Sequence, residues 1–140
     1  MNTLYTAEAL ATGGGRNGHV ATTDRLVDLD LAVPRAMGGS GNGANPEQLF
    51  AAGYAACFHS ALQLAARERK VSIEGSSVGA QVHLGTADGG AFGLAVTLEV
   101  TLPGVGEDVA RELADRAHEV CPYSNATRGN ISVDIQVGDD

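Results

Sequence analysis

The sequence predicts an α+β fold in a single domain, residues 1–140, with antiparallel sheets packed on helices. Three observations predict it. Short segments alternate apolar and polar residues, as strands with one solvated face do. Two longer segments repeat apolar residues every three or four positions, as amphipathic helices do. Glycine-rich turns separate these segments from one another.

Six strands and two helices are expected in the order three strands, helix, two strands, helix, strand. The predicted strands cover residues 3–9, 19–24, 26–33, 77–85, 92–102 and 131–137. In the third strand, Asp28 and Asp30 point away from the apolar residues that alternate with them, so this meander has one wet face.

The first helix is predicted to begin after Asn45 and to run to about residue 69. Asn45 can cap it, Pro46 suits the first helical position, and Gln48 completes a capping box. Small and apolar residues occur around most of this helix, which predicts a buried central helix that carries Cys57. The second helix, residues 106–120, is amphipathic and is stopped by Pro122.

Charge and composition exclude several classes of function. Nine Lys and Arg face 17 Asp and Glu, a net charge of −8 without a basic run, which argues against nucleic-acid binding. The apolar segment at residues 49–66 holds too many polar residues for a membrane span. No secretory signal opens the chain, so a cytoplasmic location is expected. Two cysteines without CxxC spacing make a metal site unexpected.

Those two cysteines are the first candidates for chemistry, because cytosolic thiols are more often catalytic or redox-sensing than structural. By helical periodicity alone, Cys57 is a small buried apolar residue. Cys121 lies at a helix C-terminus, where the helix dipole opposes a thiolate, so it suits a resolving thiol better than a nucleophile. Cys57 would need a cation as the nucleophile, because burial raises the pKa of a thiol.

Arg16, in the loop GGGRNG, and Arg128 are candidate cations, although each is also interpretable as a surface charge. Glu47 could hold an arginine by two hydrogen bonds, or could simply favour the helix dipole. Ten residues on one straight helix span about 15 Å, too far for Glu47 and Cys57 to contact one small substrate. Either the helix breaks near Gly53, or Glu47 serves a site on another chain.

Two segments carry a resemblance to a known family. Residues 45–62, NPEQLFAAGYAACFHSAL, and residues 120–130, VCPYSNATRGN, closely resemble the organic hydroperoxide resistance proteins. These form a branch of the osmotically inducible protein C-like thiol peroxidases. The opening LYTAEALATGGGRNGHV and the closing ISVDIQV extend the resemblance over nearly the whole chain.

The resemblance implies an intertwined homodimer with two active sites at the subunit interface. It implies that Cys57 is the peroxidatic cysteine and Cys121 the resolving one. It also implies that Arg16 activates Cys57 and that Glu47 holds Arg16. The family reduces organic hydroperoxides, fatty acid hydroperoxides included, in preference to hydrogen peroxide. It needs no bound cofactor, and its reductant is dihydrolipoamide from lipoylated proteins.

The chemistry expected from this assignment is a Cys57 sulfenic acid followed by a Cys57–Cys121 disulfide. Phe50, Tyr54, Phe58 and Met37 are guesses for the apolar pocket that would hold an alkyl group. Three alternatives stay open: the osmotic-stress sibling with another peroxide preference, a redox sensor that uses the same disulfide, and a carrier of small apolar ligands.

Overall fold

The computed structural model describes residues 1–139 and divides them into two compact units, Met1–Leu49 and a second that begins at Phe50. Each unit contains one three-stranded sheet. The expectation of a single domain stays a prediction, and the α+β class is confirmed by the mixture of helices and sheets.

The first unit contains an antiparallel meander of β1 (Ala9–Thr12), β2 (His19–Thr22) and β3 (Asp28–Asp30). The strand predicted at residues 3–9 is wrong, since β1 begins only at Ala9. The turn sets the register, because Thr12 pairs with His19 and the chain must reverse between them. A Cβ on Gly18 would lie 2.1 Å from the carbonyl oxygen of Thr12, so only glycine fits this turn.

Three helices follow: α1 (Pro46–Arg69), α2 (Glu107–Val120) and α3 (Pro122–Thr127). The capping box of α1 is confirmed. The Gln48 N–H donates to Asn45 Oδ1 at 2.8 Å, and the Asn45 N–H donates to Gln48 Oε1 at 3.1 Å. Pro122 ends α2 as predicted but also opens α3, because proline favours the first position of a helix.

Helix α1 continues without interruption through Gly53, so the proposed break at this residue is wrong. Another physical reason accounts for a glycine at this position. A Cβ at this position would lie 2.6 Å from the hydroxyl oxygen of Tyr123 and 3.1 Å from its ring. Gly53 therefore leaves room for the Tyr123 side chain to pack directly on the helix backbone.

The sheet of the second unit has the order β4 (Ser77–Thr86), β5 (Phe92–Thr101) and β6 (Val133–Gly138). Strands β4 and β5 are antiparallel as expected, but β5 and β6 are parallel, which corrects the expectation of antiparallel sheets for this strand pair. Helices α2 and α3 lie between β5 and β6 in the sequence. A crossover of this length is what a parallel pair needs.

The buried residues of α1 form one stripe at helical spacing, not the burial on most sides that the sequence predicts. They are Tyr54, Phe58, Ala61, Leu62, Ala65 and Ala66. On another face, Ala52, Ala56 and Ser60 are exposed. The helix has 24 residues, so by length and composition it could cross a membrane, contrary to the expectation. One such helix is weak evidence, because core helices of soluble proteins pass the same test.

Candidate active site

The two cysteines are in contact. Cys57 lies on α1 and Cys121 at the corner between α2 and α3, 64 residues later, yet their Sγ atoms are 3.4 Å apart. Both are free thiols, Cys121 fully buried and Cys57 half-buried. A disulfide requires an S–S distance of about 2.05 Å. A small movement of the α2–α3 junction toward α1 would therefore bring the two sulfurs to bonding distance.

The backbone fixes the corner that carries Cys121. Its N–H donates to the carbonyl of Ala117 in the last turn of α2, at 2.9 Å. Its own carbonyl accepts from the N–H of Asn125 in α3, at 3.0 Å. The residue itself is extended, with φ −64° and ψ 123°. Cys121 is thus the junction residue between α2 and α3, and its backbone is hydrogen-bonded to both helices.

The environment of Cys57 favours the thiol over the thiolate. Burial raises the pKa of Cys57, the backbone N–H of Tyr123 lowers it by a hydrogen bond, and the Cys121 thiol raises it again. The direction agrees with the expectation that a buried thiol needs a cation. The Tyr123 N–H is available because it lies in the first turn of α3, where backbone N–H groups have no acceptor within the helix.

Arg16 and Glu47 form a bidentate ion pair in the first unit. Arg16 Nη1 donates to Glu47 Oε2 at 2.8 Å, and Nη2 donates to Oε1 at 2.6 Å. The Arg16 side chain is 37% exposed and that of Glu47 is 16% exposed. The Arg16 hydrogen bond holds the pKa of Glu47 below its usual range, and Glu47 raises the pKa of Arg16.

This geometry predicts a pH-dependent loss in Glu47→Gln. Because the folded-state pKa of Glu47 is lowered, the pair stabilises the fold above the unfolded-state pKa and loses this effect as pH falls through the folded-state pKa. We therefore expect Glu47→Gln to be less stable than wild type near neutral pH. The difference should shrink between roughly pH 5 and pH 2. Urea unfolding across this range measures it.

Glu107 supplies the matched control. It is also a first-turn glutamate, at the start of α2, but within residues 1–139 it forms no ion pair. Glu107→Gln should show no comparable pH-dependent difference from wild type. A Glu47→Gln protein whose difference from wild type is constant over the whole pH range would contradict the prediction.

Arg128, the other candidate cation, braces the corner that carries Cys121. Its Nη1 donates to the carbonyl oxygen of His118 in the last turn of α2, at 2.8 Å, and its Nη2 contacts Asn125 Oδ1. Cations near a helix C-terminus satisfy free carbonyls in this way. The guanidinium is therefore engaged by groups of the corner itself.

An open apolar cavity of about 840 Å³ lies in the second unit. Pro122 and Tyr123, which directly follow Cys121, help to line it, as do Phe50, Phe92 and Ile131. Only one of the four guessed pocket residues, Phe50, contributes to it.

The other three guesses lie elsewhere. Tyr54 and Phe58 are fully buried in the core of the second unit, since they lie on the buried stripe of α1. Met37 ends a short 3₁₀ turn in the first unit and is 46% exposed. Tyr123 could have been found from the sequence, because it follows the Cys-Pro pair. Phe92 gave no such signal in the sequence, because only the fold places it beside Pro122 and Tyr123 in the lining of the cavity.

Within residues 1–139, no cluster of three His, Cys, Asp or Glu side chains could hold a metal ion. The thiol pair and the apolar cavity lie in the second unit, and the ion pair lies in the first.

Comparisons with known proteins identify the family of the chain. The family model for OsmC-like proteins matches residues 39–136. An organic hydroperoxide resistance protein of Xanthomonas axonopodis pv. citri is 49% identical over 134 residues, which cover 94% of this chain and 93% of that protein. The chain therefore belongs to the OsmC-like family, and within it to the organic hydroperoxide resistance proteins.

Solved structures show the same relation. The organic hydroperoxide resistance protein of Legionella pneumophila is 51% identical with a TM-score of 0.93, covering 98% of this chain and 99% of that one. The protein of that name from Elizabethkingia anophelis is 48% identical with a TM-score of 0.94, and the match covers 100% of both chains. Membership of this family is consistent with a role in peroxide detoxification.

Proposed function

We propose that this protein is a thiol peroxidase that reduces organic hydroperoxides, fatty acid hydroperoxides included, to alcohols. The observation that carries the proposal is the 3.4 Å contact between Cys57 Sγ and Cys121 Sγ. Two free thiols that meet from distant parts of the chain can form a disulfide without rearrangement of the fold. The names of the relatives support the choice of an organic hydroperoxide as the oxidant.

In the first step, the Cys57 thiolate attacks one oxygen of the hydroperoxide ROOH. The O–O bond breaks, and Cys57 keeps the attacked oxygen as a sulfenic acid. The alkoxide leaves and becomes ROH by taking up the proton that the Cys57 thiol released. Cys57 is the better nucleophile of the pair because it is half-buried, while Cys121 is fully buried. The N–H of Tyr123 stabilises the thiolate by its hydrogen bond to Cys57.

In the second step, Cys121 attacks the sulfenic acid sulfur. The S–O bond breaks, water leaves, and a Cys57–Cys121 disulfide forms. A dithiol then reopens the bridge by exchange. We propose dihydrolipoamide, carried by a lipoylated protein in the cytoplasm, as this reductant. The dithiol is oxidised to its own disulfide as the two cysteines are reduced.

The apolar cavity gives a physical reason for selectivity. Its volume of about 840 Å³ can hold an extended alkyl chain beside Tyr123. Each methylene that leaves water for such a surface is worth about 0.8 kcal/mol, and hydrogen peroxide has none to bury. Preference for organic peroxides then needs no further contact.

We propose a homodimer in which Arg16 and Glu47 of one subunit serve Cys57 of the other. The uninterrupted helix α1 supports this arrangement, since it removes the alternative of a break near Gly53. The exposed small residues Ala52, Ala56 and Ser60 on α1 would let a second copy approach closely. In that arrangement Arg16 supplies the cation that lowers the pKa of Cys57 and orients the peroxide.

The experiment is to mix reduced protein with one equivalent of cumene hydroperoxide or of hydrogen peroxide and to follow free thiols with time. We expect rapid loss of both thiols per chain with cumene hydroperoxide and much slower loss with hydrogen peroxide. Equal rates with the two peroxides would favour the osmotic-stress sibling. Loss no faster than that of free cysteine would overturn the proposal.

A further inference from the structure

A chain of four hydrogen-bonded side chains joins the three helices around the cysteines. His118 Nδ1 lies 2.8 Å from Ser124 Oγ, and Ser124 Oγ lies 2.8 Å from the hydroxyl of Tyr54. The Tyr54 hydroxyl also lies 3.1 Å from Thr127 Oγ1. Tyr54 and Ser124 are fully buried and Thr127 is 6% exposed.

The position of each member relative to the cysteines is regular. His118 lies three residues before Cys121 and Ser124 three residues after it, so their hydrogen bond spans the corner between α2 and α3. Tyr54 lies three residues before Cys57 on α1, about one helical turn away. The bond from Tyr54 to Ser124 therefore ties the helix of one cysteine to the corner of the other.

The chain is complete in either direction of proton donation. Thr127 Oγ1 can donate to the carbonyl of Ser124, at 3.3 Å, and the donations then run from His118 through Ser124 and Tyr54 to Thr127. In the opposite direction, Thr127 donates to Tyr54 and Ser124 donates to His118. In the first direction every hydroxyl donates once and accepts once, and in the second Ser124 and Tyr54 still do so while Thr127 only donates. A fully satisfied buried chain of this kind holds its elements in one arrangement.

We propose that Tyr54, Ser124 and His118 are positioning residues that set the approach of Cys121 to the oxidised Cys57. This inference rests on the proposed function, because it concerns its second step. In that step Cys57–SOH and Cys121–SH give the disulfide and water. If the step is slow, a second hydroperoxide converts the sulfenic acid to a sulfinic acid with release of ROH. The chain of hydrogen-bonded side chains would thus set how much Cys57 sulfenic acid goes on to the disulfide and how much is oxidised irreversibly to the sulfinic acid.

Tyr54→Phe is the sharpest variant, because it removes one buried oxygen and keeps the ring. Ser124 still has His118, and Thr127 still has the Ser124 carbonyl, so only the tie between α1 and the corner is lost. Misplacement of a reacting group by a fraction of an ångström to 1 Å costs roughly 10- to 100-fold in rate. We expect this loss in disulfide formation alone.

The first test follows the two steps separately. Reduced protein is mixed with excess cumene hydroperoxide, quenched at intervals, and its sulfenic, sulfinic and disulfide forms are resolved by intact mass with dimedone as the sulfenic acid trap. We expect unchanged formation of sulfenic acid in Tyr54→Phe and Ser124→Ala, slower disulfide formation, and more sulfinic acid. His118→Asn, which keeps a hydrogen-bonding group near the position of Nδ1, should resolve faster than His118→Ala.

Ser76→Ala is the matched control. Ser76 Oγ also bonds a histidine, His59 Nε2, at 3.0 Å, in the same unit. Removing this hydroxyl deletes the same kind of hydrogen bond without touching the chain beside the cysteines. It should leave both steps at the wild-type rate. An equal loss in both steps for Tyr54→Phe would indicate a general structural role and would overturn the proposal.

The second test needs no peroxide. The reduced and disulfide forms of the pair are equilibrated with mixtures of reduced and oxidised glutathione, and the equilibrium constant is measured. We expect this constant for disulfide formation to fall roughly tenfold or more in Tyr54→Phe and Ser124→Ala, because the thiols are less well positioned. An unchanged constant together with unchanged resolution overturns the positioning role. If the thiols of the wild-type protein did not react in the peroxide test, the peroxidase function would be overturned, while the equilibrium constant would still test the positioning role.

Discussion

Cys57→Ser is expected to lose peroxide reduction down to the uncatalysed background. A serine hydroxyl does not ionise near neutral pH, so the attacking thiolate is gone, whereas the packing changes little. Loss of an attacking nucleophile lowers turnover by at least about 1,000-fold. The measurement is consumption of cumene hydroperoxide in the presence of dihydrolipoamide, with the unfolding midpoint as a check on folding.

Cys121→Ser is the informative comparison, because it removes only the second thiol. Without added reductant, it should consume the first equivalent of hydroperoxide per chain in a burst, with no disulfide formed. Further peroxide should drive Cys57 to the sulfinic acid. If Cys57→Ser instead showed the burst and Cys121→Ser showed none, the two cysteines would have exchanged roles.

The strongest local signals of the sequence predicted the fold well. The capping box of Asn45 and Gln48 placed the start of α1, and the alternation at residues 77–85 placed β4. Strand β1 was misplaced because residues 3–9 alternate only loosely. Its position depends on pairing with β2, which is a tertiary property. The parallel return of β6 also depends on the path of α2 and α3, which strand patterns do not encode.

The candidate site divides in the same way. Residue types identified Cys57 and Cys121 as chemical groups, but the 3.4 Å between their sulfurs comes from the packing of three helices. Tyr54 was expected to line a pocket because it is aromatic and near Cys57. Its buried hydroxyl is instead bonded to Ser124, a contact across 70 residues. Side chains that meet through tertiary packing give no spacing signal that a single sequence reveals.

A mixed dimer of one Arg16→Ala chain and one Cys57→Ser chain is expected to be active, although each variant is inactive by itself. Arg16→Ala should lose about 100-fold or more, because a preorganised cation at the reacting oxygen is removed. In a mixed dimer, one site pairs the intact Cys57 of the first variant with the intact Arg16 of the second. Random assembly of equal amounts should give about a quarter of wild-type activity. Unfolding and refolding the mixture, followed by the cumene hydroperoxide assay, measures it.

A reciprocal mixture distinguishes an Arg16 that serves Cys57 of the other subunit from an Arg16 that serves Cys57 of its own chain. A chain that carries both substitutions is combined with an equal amount of wild type. If Arg16 serves the other subunit, only wild-type homodimers are active, and about a quarter of full activity remains. If Arg16 serves its own chain, every wild-type chain keeps its site, and about half remains. No restoration in the first mixture and half in the second would place Arg16 and Cys57 in one chain, and the exposed small residues of α1 would then need another explanation.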